Sequence, residues 1–275
     1  MSQIELVNAW AKATPGPSWG YMNLPAQLSP VIVRGNGARV FDASGKSYVD
    51  HLLSSGPLIV GHAHPVVVEA VTDQLSRGSA YFAINMPAIE LAQEILGASL
   101  CGDTLHYQTT GSEATAAALR IARAATGRSK VIKFEGGFHG SHDLAQLSND
   151  AVVDRPAPMI NPSSAGGSPG MCQDALIAVY NDITSVEALV AQNRDNIACV
   201  IIEPIQRAIM PQPGFLEQLR ALTHKEGILL IYDEVVTGFR VAWGGLKRCS
   251  GSFLILPAME RRLVGVPSFG RCWPS

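Results

Sequence analysis

The sequence predicts an α/β protein built on a mostly parallel sheet with helices on both faces. Two strand–helix–strand stretches, two nearly uninterrupted apolar runs of strand length, and a composition rich in core material predict it. The first stretch runs from a short strand at 105–107 through the turn Thr109-Thr110-Gly111-Ser112 into a helix over 113–125. Gly127 stops that helix, and a strand follows at 131–134. In the second, an apolar strand at 198–202 and a helix over Phe215–Lys225, ended by Gly227, lead to a second apolar strand at 228–232 that runs into Asp233-Glu234. Strands apolar on both sides belong to sheets covered on both faces, which is the parallel α/β arrangement. The 275 residues are 47% hydrophobic and only 16% charged, against roughly 25% charged in an average soluble domain, so the chain expects deep burial.

The N-terminal part reads differently. Residues 31–50 alternate apolar and polar around Gly35, Gly37 and Gly45, which predicts short strands at 38–42 and 47–50. Pro65 and Pro87 each stand at the favoured first position of a periodic segment, 66–75 and 88–96, and both segments read as amphipathic helices. The composition of 161–170 (Asn-Pro-Ser-Ser-Ala-Gly-Gly-Ser-Pro-Gly) is that of a surface loop. These divisions suggest an N-terminal segment over 1–60, a partial large domain over 61–245, and an aberrant tail over 246–275.

Several classes of function are disfavoured. The net charge is −2 with basic residues scattered, so no basic stripe for nucleic acid is expected. No stretch approaches the roughly 18 consecutive apolar residues of a membrane helix, and Met1 to Lys12 lacks the basic start and apolar run of a secretory signal. The five cysteines are odd in number, dispersed and without metal-site spacing, which suggests reduced thiols in a cytoplasmic protein. His62 and His64 lack neighbouring ligands, and a place at a helix start is expected for them rather than zinc. There is no GxGxxG turn with an acidic residue roughly 20 positions on, which disfavours a nicotinamide-binding dehydrogenase.

In open α/β sheets ligands bind beyond the carboxyl ends of the strands, so Gly111-Ser112, Glu203 and Asp233 are expected to converge there. Gly111-Ser112 lies at a strand-to-helix junction, where free backbone N–H groups and the helix dipole make an anion site. The alternative is a serine N-cap after a glycine turn. Phe138-His139-Gly140 sets an aromatic face and an imidazole at the end of the 131–134 strand, or is a packed loop. A carboxylate as deep as Asp233 needs a donor or a cation. A protonated heterocyclic nitrogen is one such partner; an N-cap or a structural ion pair is the other possibility.

Taken together, Gly37-Ala-Arg-Val-Phe-Asp-Ala-Ser-Gly-Lys-Ser-Tyr-Val-Asp50, Gly61-His-Ala-His-Pro65, Thr110-Gly-Ser-Glu-Ala114, Phe138-His-Gly140, Ile201-Ile-Glu-Pro204 and Asp233-Glu-Val-Val-Thr-Gly-Phe-Arg240 resemble the class III pyridoxal-phosphate aminotransferases, especially glutamate-1-semialdehyde aminomutase-like members. The resemblance covers about residues 30–245. It implies the type I fold of pyridoxal-phosphate-dependent transferases, pyridoxal 5'-phosphate as cofactor, a homodimer, and transfer of an amino group between an amine or amino acid and a keto or aldehyde substrate. It also implies roles for individual residues. Gly111 and Ser112 would hold the phosphate, Phe138 would stack on the pyridine ring and Val235 would press on its other face. Asp233 would pair with the pyridinium nitrogen, while His139 and Glu203 would support the site. Ser55 stands where the aminomutase pattern usually has an aromatic residue.

The resemblance also implies a Schiff-base lysine beyond the Asp233 motif, and none stands there. After Gly245 the family features cease. Reading each codon from the last base of the one before changes this. Met259 then forces Gly at the next step, and Glu260-Arg261 can yield Lys. Residues Leu254, Ile255, Leu256 and Pro257 permit Pro, Asp, Phe and Thr, and Val264-Gly265-Val266 permit three glycines. The shifted text resembles the family's lysine segment, which suggests a lost base near the codons of Gly244 and Gly245. As written, the chain is expected to lack its last cofactor-domain strands and to be nearly inactive. The alternative to an enzyme is a non-catalytic fragment that binds cofactor weakly or only associates with an intact subunit.

Overall fold

The computed structural model describes residues 1–15, 25, 28–99, 104–150 and 160–245, together with the backbone of 253–255 and 264–266. The chain divides into two compact units, Met1–Ile84 and Asn85–Ser275. The first unit holds the helix that Pro65 starts together with the N-terminal strands.

In the first unit, helix α1 (Gln3–Ala13) begins with a capping box in which Ser2 and Glu5 satisfy each other's backbone N–H groups. A three-stranded antiparallel sheet follows, made of β1 (Ile32–Asn36), β2 (Arg39–Asp42) and β3 (Ser47–Val49), in that spatial order. The β2–β3 turn is tied by the Asp42 carboxylate, which accepts from the Ser44 and Lys46 backbone N–H groups and from the Ser44 and Tyr48 hydroxyls. Helix α2 (Pro65–Ser76) carries Pro65 in its first turn after His64. His62 Nε2 lies 2.7 Å from Asp50 Oδ2.

The second unit begins with α3 (Met86–Ala98) and β4 (Thr104–His106), and continues with α4 (Gly111–Thr126), β5 (Lys130–Phe134), α5 (Pro169–Asp174), β6 (Ala175–Ala178) and α6 (Ile183–Asn193). It closes with β7 (Ile197–Ile202), α7 (Phe215–Lys225), β8 (Leu229–Asp233), β9 (Phe253–Ile255) and β10 (Val264–Val266). The seven strands lie in the order β4-β10-β9-β8-β7-β5-β6, and only β10 runs against its neighbours. Alternate side chains serve opposite faces, as the strand period of two requires. Ile132, Phe134, Val200, Ile202, Leu230 and Tyr232 pack with α6 and α7 on one face. Val131, Cys199, Ile201 and Ile231 pack with α4 on the other.

The tail is a correction to the sequence reading. The sheet does not stop at β8, because β9 pairs with it in parallel through Ile231↔Phe253 to Asp233↔Ile255, and β10 fills the gap between β9 and β4. Ladder bonds are made by backbone groups that every residue other than proline carries, so a strand position accepts many residue types.

Candidate functional site

Residues of the predicted site gather where β5, β7 and β8 end and α4 begins. Helix α4 starts two residues earlier than its apolar period suggested, because Thr110 and Glu113 form a capping box. Thr110, and not Ser112, is the N-cap. Ser112 thus sits inside the first turn, where its N–H and that of Gly111 have no intrahelical carbonyl to bond. Its Oγ accepts from the Ser141 N–H at 2.9 Å. A side chain at Gly140 could not be accommodated, since its Cβ would come within 2.6 Å of Ser112 Oγ. Val235 packs over Gly111, with Cγ1 3.2 Å from where a Cβ would stand. Gly140 therefore packs against the first turn of α4 through steric need, and that turn presents backbone N–H groups and the positive end of a helix dipole.

At the end of β8, Asp233 is buried. Its Oδ2 lies 2.8 Å from His139 Nδ1, and its Oδ1 accepts from the Val235 N–H. A carboxylate facing Nδ1 requires the proton on that nitrogen, so His139 donates. Its other nitrogen, Nε2, is buried and makes no hydrogen bond among the described residues. Gln206 donates from Nε2 to the Glu135 carbonyl, which turns its Oε1 away from that carbonyl and leaves it buried and unbonded as well. Both orphaned atoms lie beside Gly137, 3.2 and 3.4 Å from the place its Cβ would take. Glu203, at the end of β7, accepts from the Phe138 N–H at 2.9 Å. Burial raises its carboxyl above the ordinary glutamate range, against the opposing pull of His139 and of that N–H.

Behind this turn, Thr115 Oγ1 stands 2.6 Å from the His139 carbonyl and 3.1 Å from His142 Nε2. His142 Nδ1 accepts from the Ala145 N–H, so Nε2 donates to Thr115, which in turn donates to His139. Burial pushes His142 down to about 4, and the nearby His139 and Lys133 add to that. Lys133, on β5, is fully buried and donates to the carbonyls of Ala145 and Leu147 and to Asn149 Oδ1 at 3.0 Å. Burial lowers its ammonium to about 7 against the attraction of Glu203.

All seven predicted site residues therefore fall in one unit. The structure brings together His139 with Asp233, Phe138 with Glu203, and Gly111 with Val235. Sequence reasoning missed Gln206, Thr115, His142 and Lys133. For Gln206 and Lys133 a signal existed, since each is a polar residue within or just after an apolar strand. His62 and His64 belong to the other unit, and no group of metal-ligating side chains occurs among the described residues. Cys172 and Cys199 are free thiols; Cys101, Cys249 and Cys272 lie outside the described residues. No helix among the described residues is long and apolar enough to cross a membrane.

The chain is similar to known proteins. The glutamate-1-semialdehyde 2,1-aminomutase of Desulfitobacterium hafniense (strain DSM 10664 / DCB-2) is 42% identical over 221 residues, covering 78% of this chain and 50% of the relative. That of Chloroflexus aurantiacus is also 42% identical, with 79% and 49% covered. The chain thus spans about half the length of these curated relatives. An omega-transaminase from Sphaerobacter thermophilus superposes with a TM-score of 0.89 at 29% identity, over 96% of this chain and 64% of that one. A glutamate-1-semialdehyde aminomutase from Pseudomonas aeruginosa PAO1, whose K286A form was solved in complex with PMP, superposes at 0.75 with 27% identity, over 87% and 54%. The sequence profile described as Aminotransferase class-III matches residues 22–246. With that match over most of its length and a type I transaminase fold around its buried Asp233, the chain belongs to the class III aminotransferase family.

Proposed function

We propose that the chain is the cofactor-binding part of a pyridoxal-phosphate-dependent aminotransferase acting between an amine or amino acid and a keto or aldehyde compound. The observation that carries this is the buried His139–Asp233 pair, set at a strand end in the same unit as a glycine-lined helix start. When bound, pyridoxal phosphate supplies an electron sink that weakens the substrate Cα–H bond. Asp233 holds the proton on the ring nitrogen, and His139, donating from Nδ1, keeps the carboxylate turned toward it. Gly111 and Ser112 bind the phosphate through N–H groups and the Ser112 hydroxyl, while Phe138 and Val235 confine the ring between them. The buried, unbonded His139 Nε2 and Gln206 Oε1 support this fit, because polar atoms left unpaired in an interior are costly unless a ligand or water meets them.

The tail over 246–275 is best explained as family text read one base out of frame, which leaves the chain able to bind the cofactor and unable to hold it as a Schiff base. The intact parent is a cytoplasmic homodimer in this reading, and the exposed Val66, Val67, Val68, Val71 and Leu75 of α2 favour a partner surface. The test is pyridoxal phosphate added to the full chain, followed by borohydride and peptide mapping. The expected result is cofactor bound in the absence of borohydride and no lysine labelled after it. A stoichiometrically labelled lysine overturns the reading of the tail, and no binding at all overturns the cofactor site.

A further inference from the structure

The loop after β7 contains a residue whose backbone and side chain are both unusual. Arg207 has φ 59°, in the left-handed region that favours glycine. Its side chain is correspondingly constrained. Nε donates to the Gly136 carbonyl at 3.0 Å and Nη2 to the Asn149 carbonyl at 3.0 Å, while the guanidinium lies over the Phe138 ring with Cζ 5.9 Å from its centroid. Gly136 also donates to the Ser148 carbonyl, so the fork of Arg207 locks together two chain segments that already meet. The same loop supplies Glu203, which holds the Phe138 N–H. Phe138 is thus fixed by one loop in three ways, through its own N–H, through the carbonyl two residues before it, and through the face of its ring. An Arg fork can do this because its donors are coplanar and its flat cation can lie on an aromatic ring.

We propose that Arg207 is a positioning residue that sets the tilt of the Phe138 ring against the bound cofactor, a role that rests on the reading of this site as a pyridoxal-phosphate pocket. A merely structural arginine would tie the two segments and leave the ligand's environment unchanged. The two roles separate when the full chain and its Arg207→Gly, Arg207→Met and Arg207→Lys variants are titrated with pyridoxamine 5'-phosphate, which cannot form a Schiff base with lysine. Affinity by equilibrium dialysis, induced circular dichroism of the bound cofactor at saturation, and thermal melting are the readouts. Glycine relieves the backbone and methionine keeps the stem, but both lose the fork. Each is expected to bind about tenfold more weakly and to lose at least about half of the induced dichroism, while melting close to the parent. Lysine, which keeps the charge and one donor, is expected to recover part of both. Parental affinity and dichroism in the glycine variant, or in the methionine variant should the glycine chain not fold, overturn the proposal. A parent chain that does not bind the probe overturns instead the functional reading on which it rests.

Discussion

Among the described residues, each unit contains one imidazole–carboxylate pair of nearly the same length, His62–Asp50 at 2.7 Å and His139–Asp233 at 2.8 Å, and their surroundings differ. The first pair is 26% and 14% exposed by side chain and the second 2% and 5%. The units repeat the contrast at larger scale. Among the described residues of Met1–Ile84 only Val7 and Asp42 are buried, whereas the sheet of the second unit is covered on both faces. Solvent reaches the first pair and screens it in part, which suits it to fastening a turn. The second, with water excluded, can govern the charge of whatever it touches. Geometry alone therefore does not distinguish a structural pair from a functional one; burial does.

The largest expected effect falls on the buried pair. If Asp233 holds the ring nitrogen's proton as proposed, Asp233→Asn should weaken pyridoxamine 5'-phosphate binding by about 100-fold or more, which equilibrium dialysis measures. An Asp50→Asn chain titrated alongside should bind as the parent does.

Next comes the difference between the two interiors. Ile201→Ala should cost about 2–4 kcal/mol in denaturant unfolding, while Val66→Ala should stay within about 0.5 kcal/mol. A comparable loss for both would sharpen the contrast in a different way, by showing that α2 is covered by a second copy in solution.

Acid should act through His142 before it acts through the partly exposed pair. Its folded value, about 4, lies below the ordinary 6.5, so the unfolded chain binds the extra proton first and stability falls as pH drops from about 6.5 to 4. Partial solvent screening limits the contribution to roughly 1–2 kcal/mol. His142→Gln, which cannot titrate, should flatten that part of the pH–stability curve relative to the parent.

The smallest effect belongs to Asp50. His62 and the Leu53 and Leu52 N–H groups hold its carboxyl below the usual range, so the stability it contributes is present above about 3.8 and is lost as pH falls through the folded value. Asp50→Asn should cost about 1 kcal/mol or less at neutral pH, measured by thermal melting.

Much of this site was legible in the order of residues. Thr110-Gly111-Ser112-Glu113 announces a helix start with free N–H groups, and an apolar run ending in Asp233 announces a carboxylate at the end of a covered strand. Helices at Pro65 and Phe215 began where their signals stood. Other elements carried weak signals. The Ala-Leu-Ile-Ala of β6 is too short for its period to separate strand from helix, and β1 includes Gly35 and Asn36, residues that usually break strands. Arg207 in a left-handed conformation had no sequence signal, because nothing local demands it.

By itself, then, the sequence determined where a helix starts on a glycine turn and where covered strands end in carboxylates, because those demands fall on short motifs whose backbone geometry is local. The tertiary structure alone decided that His139 faces Asp233 across 94 residues of chain, that Gln206 turns an unpaired oxygen inward, and that Arg207 bridges two turns onto Phe138. Those relations depend on which strands lie side by side and on what excludes water between them. Hydrophobic burial over the whole sheet sets both, and no local pattern encodes them.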